Sequence, residues 1–177
     1  LYRESGEMTK TTLYLVRHGE TFDNQNRIMQ GQTQGQLNPT GIAQAEEVSR
    51  QMADSSIDAV VSSDLQRAIS TAEIIARPHG LLVQTTPLLR ERDWGSFTGR
   101  YIPDLKDEKW PSDIETLDQL QLRACKFMDM VRERYVGQNV LAVGHGIINK
   151  AIQSVFFHKE MKDVKPMANA EIRILEL

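Results

Sequence analysis

The chain has little of what would announce a special environment. It carries one cysteine, Cys125, so no internal disulfide can form. No stretch approaches the roughly 18 consecutive apolar residues of a membrane span, and a reducing cytoplasm without membrane attachment is the expected setting. The 21 lysines and arginines are scattered without a basic cluster in a chain of net charge −3. That balance disfavours non-specific nucleic-acid binding, so any anion site must be local. The four histidines, His18, His79, His145 and His158, lie far apart, without the short spacing of metal ligands. Neither a metal nor a cofactor is expected. Repeats, low-complexity tracts and interdomain linkers are also missing. With 40% hydrophobic and 25% charged residues among 177, the composition suits one globular domain with a full core. We expect that domain at residues 8–177, with residues 1–7 as an added leader before a natural start at Met8.

What is present converges on two strand ends. Leu13, Tyr14, Leu15 and Val16 run straight into Arg17, His18, Gly19, Glu20 and Thr21. Val140, Leu141, Ala142 and Val143 likewise lead into Gly144, His145 and Gly146, ahead of an apolar helical run from Ile147. A short apolar run that stops at polar residues beside glycine reads as a buried strand opening into a ligand-binding turn. Open α/β sheets gather ligands at such carboxyl ends. Two histidines at two ends, with an arginine beside one, point to a shared anion site.

The remaining pattern supplies the scaffold. Residues 58–61 and 81–83 read as further strands, and the alternation of Ala170, Ile172 and Ile174 with Glu171 and Arg173 as a half-exposed one. Residues 22–40 are a polar loop with no helical period. Ile42, Ala45, Val48 and Met52 then recur at helical spacing behind a Thr40 cap. A second helix buries Leu65, Ala68, Ile69, Ala72, Ile75 and Ala76, opens on a Ser63 and Gln66 capping box, and stops before Pro78. Arg67 falls in its first turn, where the helix amino terminus favours an anion and a guanidinium adds charge-assisted donors. Spacing alone divides evenly between that role and a solvated arginine. Leu117, Leu120, Ala124, Phe127, Met128 and Val131 mark a long amphipathic helix, with Cys125 beside its stripe as a small core residue rather than a nucleophile. Glu91 stands between apolar residues and a tight turn, where partial burial would keep a proton available near neutrality. An ion pair with Arg90 or Arg92 is the other reading, and Asp93 is the second candidate acid. Residues 100–112, with Pro103, Trp110 and Pro111 among charges, suggest a short lid rather than core.

Four separated motifs carry a family resemblance. Arg17 to Thr21 with Asn24, Ser62 to Ala68 with Thr71 and Ala72, Glu91 ahead of Gly95 and Gly99, and Gly144-His145-Gly146 occur in that order. Together the chain resembles the histidine phosphatase superfamily, phosphoglycerate-mutase-like branch, over nearly its whole length. The resemblance implies a three-layer α/β/α domain with a mostly parallel central sheet. It implies a metal-independent phosphoric monoester hydrolase of the histidine acid phosphatase type, acting on a small phosphorylated metabolite through a phosphohistidine at His18. Arg17, Arg67 and His145 would contact the non-bridging oxygens, Glu91 would serve as acid and then base, and Asn24, Arg27, Gln30 and Gly31 would contact phosphate or substrate. The chain departs from the family near Gln34 and Gln36, where an acidic residue and a proline are usual. Mutase members carry a longer insertion with paired arginines around residues 100–112, so the short segment here favours hydrolysis. A cofactor-dependent phosphoglycerate mutase and a non-catalytic phospho-ligand binding module are the alternatives. The expected partner is a small phosphate monoester, and a homodimer is the assembly considered.

Overall fold

The computed structural model describes residues 10–177, and the expected leader lies outside them. Five strands form one sheet: β1 (Thr12–Arg17), β2 (Ala59–Ser63), β3 (Val83–Thr86), β4 (Asn139–Gly144) and β5 (Ile172–Glu176). Their order is β3-β2-β4-β1-β5, and every pairing is parallel except that of β5 with β1. The five α-helices of the described residues are α1 (Phe22–Asn26), α2 (Pro39–Met52), α3 (Gln66–Ala76), α4 (Leu117–Arg134) and α5 (Gly146–Phe157).

Both faces of the sheet are covered, which is why β1 and β4 are continuously apolar instead of alternating. Leu13, Leu15, Val140 and Ala142 face α4 and α5, where Phe127, Met128, Ile148 and Ile152 bury against them. Val16, Leu141 and Val143 face α2 and α3, with Val48, Ala68, Ala72 and Ile75. The result is the three-layer α/β/α arrangement with a mostly parallel sheet. Among the described residues no helix is long and apolar enough to cross a membrane.

Several local expectations need correction. The loop over 22–40 contains α1, whose capping box joins Thr21 and Asn24. α2 starts at Pro39 behind Asn38, whose side chain accepts from the Gly41 N–H at 2.8 Å, so Thr40 is inside the helix. A proline at the first helical position leaves Asn38 as the natural cap. The capping box at α3 does not form: its N-cap is Leu65, and Gln34 Oε1 accepts from the Gln66 N–H at 2.9 Å instead. β3 begins at Val83, two residues later than expected at Leu81. In β5, Leu175 is 2% exposed and Ile174 58%, because the α2/α3 layer stops short of this part of the edge strand. Residues 100–112 are not merely a lid. Leu105 packs with Phe97 and Ile114 in a small core of its own, against Met29 and Trp94.

Candidate active site

β1 and β4 are neighbours in register, with Arg17 opposite Gly144. The residues just beyond their carboxyl ends therefore meet, and the His18 and His145 rings stand 4.9 Å apart between centroids. Both are buried. Gly19 is required by close approach, since a Cβ there would lie 2.4 Å from the Gly41 carbonyl oxygen in the first turn of α2. His18 Nδ1 lies 2.7 Å from the Gly19 carbonyl oxygen. A carbonyl can only accept, so Nδ1 carries the proton and Nε2 keeps its lone pair. Burial first, then the positive charges of Arg67 and Arg17, lower the His18 pKa to about 3 against the opposing hydrogen bond to Gly19. The ring is neutral at pH 7. His145 is pushed well below its ordinary value by burial and by Arg67, His18, Arg17 and Arg123.

Ser63, expected as a helix cap, places its hydroxyl 2.7 Å from His145 Nε2 and accepts from the Leu65 N–H at 3.3 Å. The hydroxyl and Nε2 share a single hydrogen, and the tautomer in which the hydroxyl supplies it is the one that puts the His145 proton on Nδ1. Arg17 donates through Nη1 to the Met167 carbonyl at 2.7 Å. Arg67 donates to the carbonyls of Gly31 at 2.7 Å, Thr33, and Gln34 at 3.3 Å. Those bonds tie the 31–34 turn to α3 and leave Arg17 Nε, Arg67 Nε and His145 Nδ1 buried without protein partners. Burying an unmatched donor costs about 1–3 kcal/mol, and the two guanidinium Nε–H groups in the cleft, with His145 Nδ1 beside His18, suit an anion with several acceptor oxygens. Burial lowers the pKa of both arginines, that of Arg67 to about 10, so each stays charged at neutral pH.

Glu91 lines the same cleft of about 240 Å³ as Arg17, His18 and Arg67. Its carboxylate accepts from the backbone N–H groups of Ile147, Ile148 and Arg92 at 2.9–3.1 Å, at the amino terminus of α5. The ion-pair alternatives are spent elsewhere. Arg90 pairs with Asp64 at 2.7 Å, and Arg92 donates to the Glu115 carbonyl. Asp93 is exposed, accepts from the Gly95 N–H, and does not line the cleft. Asn24, Gln30 and Gly31 do line it. Asn24 Oδ1 accepts from the Thr21 N–H, Gln30 Oε1 from the Thr21 hydroxyl, and the Gly31 carbonyl from Arg67. Gly31 adopts φ +52° to turn that carbonyl inward. Arg27 is exposed at the left-handed cap of α1 and is not part of the lining. Among the described residues no group of three or more His, Cys, Asp or Glu side chains could hold a metal ion.

Two supporting residues escaped the sequence. Arg123 of α4 donates to the carbonyls of Leu88, Arg90 and Glu91 and pairs with Glu115 at 2.8 Å, clamping the loop that carries Glu91. Asn169 donates to the His18 carbonyl at 3.1 Å. Neither had a local signal, since a single arginine on the polar side of a helical stripe looks solvated.

A sheet of this topology, with two buried histidines and a half-buried Arg17 at the carboxyl ends of adjacent inner strands β1 and β4, and a buried Arg67 in the first turn of the helix after β2, is of the phosphoglycerate-mutase-like α/β class. The sequence pattern of the histidine phosphatase superfamily (branch 1) matches residues 13–177. The chain belongs to that superfamily. A probable phosphoglycerate mutase GpmB of Photorhabdus laumondii is 36% identical over 149 residues, covering 76% of this chain and 69% of the relative. Mycobacterial hydrolase 1 superposes with a TM-score of 0.87 at 23% identity, over 94% of this chain and 92% of that one. A phosphoserine phosphatase from Entamoeba histolytica, solved with 3-phosphoglyceric acid, superposes at 0.83 and 24% identity, over 93% and 89%.

Proposed function

We propose that the chain is a phosphomonoester hydrolase working through a phosphohistidine at His18, without a metal ion. The observation that carries the reading is a neutral, buried His18 whose Nε2 keeps its lone pair, next to two arginines with unpartnered Nε donors. Nε2 attacks phosphorus and the bond to the leaving oxygen breaks, which divides one displacement into two easier steps. Phosphoryl transfer asks mainly for positioning and charge neutralisation. Arg17, Arg67 and the Nδ1–H of His145 provide both by donating to the non-bridging oxygens. Glu91, fixed in orientation by the amides at the start of α5, takes the proton that the phosphate monoester brings in and gives it to the leaving oxygen. It then takes one from the water that attacks the phosphohistidine.

A second reading follows from the name of the 36% identical relative, a probable phosphoglycerate mutase: the phosphoryl group would pass to a second substrate instead of water. One experiment covers both. Substrate carrying labelled phosphate, quenched within a turnover, should leave an acid-labile, base-stable phosphoenzyme that is lost in His18→Ala, and label should end as inorganic phosphate undiminished by a chelator. Label recovered in an added phosphoglycerate favours the mutase. Activity lost in chelator and restored by a divalent ion overturns the metal-free mechanism.

A further inference from the structure

Beside the phosphate cleft lies a larger cavity of about 470 Å³ that shares the Met29, Trp94 and Ile102 walls with it. Its remaining apolar surface is set by Phe97, Pro103, Leu105 and Trp110, and no carboxylate, amide or hydroxyl side chain lines it. Lys106 is the one charged side chain at its edge. The two cavities are opposite in chemistry: one concentrates cationic donors, the other offers hydrocarbon and ring faces. The apolar walls are left partly open, with Trp110 54% and Ile102 44% exposed. A cluster of large apolar side chains left open to solvent marks a binding surface more often than a structural accident.

The cavity is also preformed. The Arg92 guanidinium lies over Trp94 at 4.7 Å and Trp110 at 5.3 Å, and Trp110 stands edge-on to both Trp94 and Phe97. Behind them, Gly99 donates to the Met29 carbonyl at 2.7 Å, Met29 to that of Arg100 at 2.9 Å, and Ile102 to that of Arg27 at 2.8 Å. These bonds hold residues 99–102 against 27–29. Little ordering entropy remains to be lost when a ligand enters.

We propose that the substrate is the phosphate ester of an apolar alcohol, with its phosphate in the cationic cleft and its hydrocarbon portion in the Trp94 and Trp110 cavity. This rests on the phosphomonoesterase reading and narrows it to a leaving-group class. A phosphate held by Arg17, Arg67 and His145 leaves its ester substituent to continue along walls shared with the cavity. A hydrocarbon substituent loses water contact there at a gain. A carboxylate or polyol gives up water hydrogen bonds for a lining that replaces almost none.

The test is a homologous series: ethyl, butyl, hexyl and octyl phosphate, with glycerol 3-phosphate and phosphoserine as polar counterparts. Primary alcohols of the alkyl series are close in basicity, so the chemical step is matched and differences report burial of the chain. kcat/KM should rise by about threefold or more per methylene over the first carbons, and both polar esters should fall below butyl phosphate. Trp110→Ala should lower the octyl-to-ethyl ratio at least tenfold. Trp110 is more than half exposed, so its loss is compatible with folding, and the wild-type series stands without any variant. Calorimetric binding of butyl- and octylphosphonate supplies a readout independent of turnover. Phosphate release with no dependence on chain length, or a preference for the polar esters, overturns the apolar class and leaves the hydrolase reading intact. An octyl-to-ethyl ratio unmoved by Trp110→Ala overturns this cavity as the hydrocarbon's place. No release from any ester, with octylphosphonate still binding far more tightly than butylphosphonate, sinks the hydrolase reading and supports the cavity assignment. Equal phosphonate affinities without turnover overturn both.

Discussion

At the scale of single residues, the site depends on where protons are excluded. The folded chain keeps His18 neutral down to a pKa of about 3, chiefly through burial, whereas the unfolded chain protonates it near 6.5. As pH falls through that interval the unfolded state binds more protons, so stability is complete above about 6.5 and declines on acidification towards 3. At pH 5 the loss from His18 alone should be roughly 2 kcal/mol. Urea denaturation at pH 7 and pH 5 should therefore show a smaller drop in His18→Asn than in the wild type, by about that amount. An equal drop in both would mean that the imidazole charges in the folded state. Glu91 is tested by leaving-group chemistry. An alkoxide needs a proton to depart, and p-nitrophenolate does not. Glu91→Gln should slow single-turnover phosphorylation of His18 by an alkyl phosphate about 10²- to 10⁴-fold and by p-nitrophenyl phosphate far less. The same large factor for both substrates would make Glu91 a positioning group for the start of α5.

Among the elements, α2 shows why a local preference can reverse. In an isolated helix, replacing glycine by alanine gains about 1 kcal/mol. At Gly41 a Cβ would stand 2.0 Å from the Glu20 carbonyl oxygen and 2.8 Å from its nitrogen, and neither backbone atom can move without disturbing the turn that begins at His18. Gly41→Ala should instead cost about 2 kcal/mol or more, read as a lower urea midpoint at unchanged m-value, and should slow phosphorylation as well. A stabilised Gly41→Ala would show that the turn after β1 is free to shift. The same scale explains what was legible. The helical stripes of α2, α3 and α4 could be read because a buried face repeats every three to four residues. Their starts were misread because the groups that satisfy the first N–H donors lay elsewhere. Asn38 displaced Thr40 at α2, and Gln34 came from a distant turn to cap α3 while Ser63 turned to His145. Residue type alone does not say which of two hydroxyl or amide groups wins a cap.

For the whole molecule, the sequence by itself determined the two apolar strands that end in His18 and His145, the helical faces that cover them, and the α/β class. All of these are local patterns: short unbroken apolar runs for the buried strands and a 3.6-residue period for the helices, both set by which side chains tolerate burial. The family motifs supplied the candidates Arg17, Arg67 and Glu91, and the fold brings all three to the cleft that holds His18. Only the tertiary structure decided that β4 lies beside β1 in register, which draws the two histidines together from opposite ends of the chain. It also decided that Arg123 clamps the Glu91 loop, that Ile174 points outward while Leu175 is buried, and that Met29, Trp94 and Trp110 enclose an apolar cavity next to the cationic one. Such facts depend on contacts between segments far apart in sequence. A side chain's partner across that distance is chosen by packing and by competition for buried donors and acceptors, neither of which leaves a period to read.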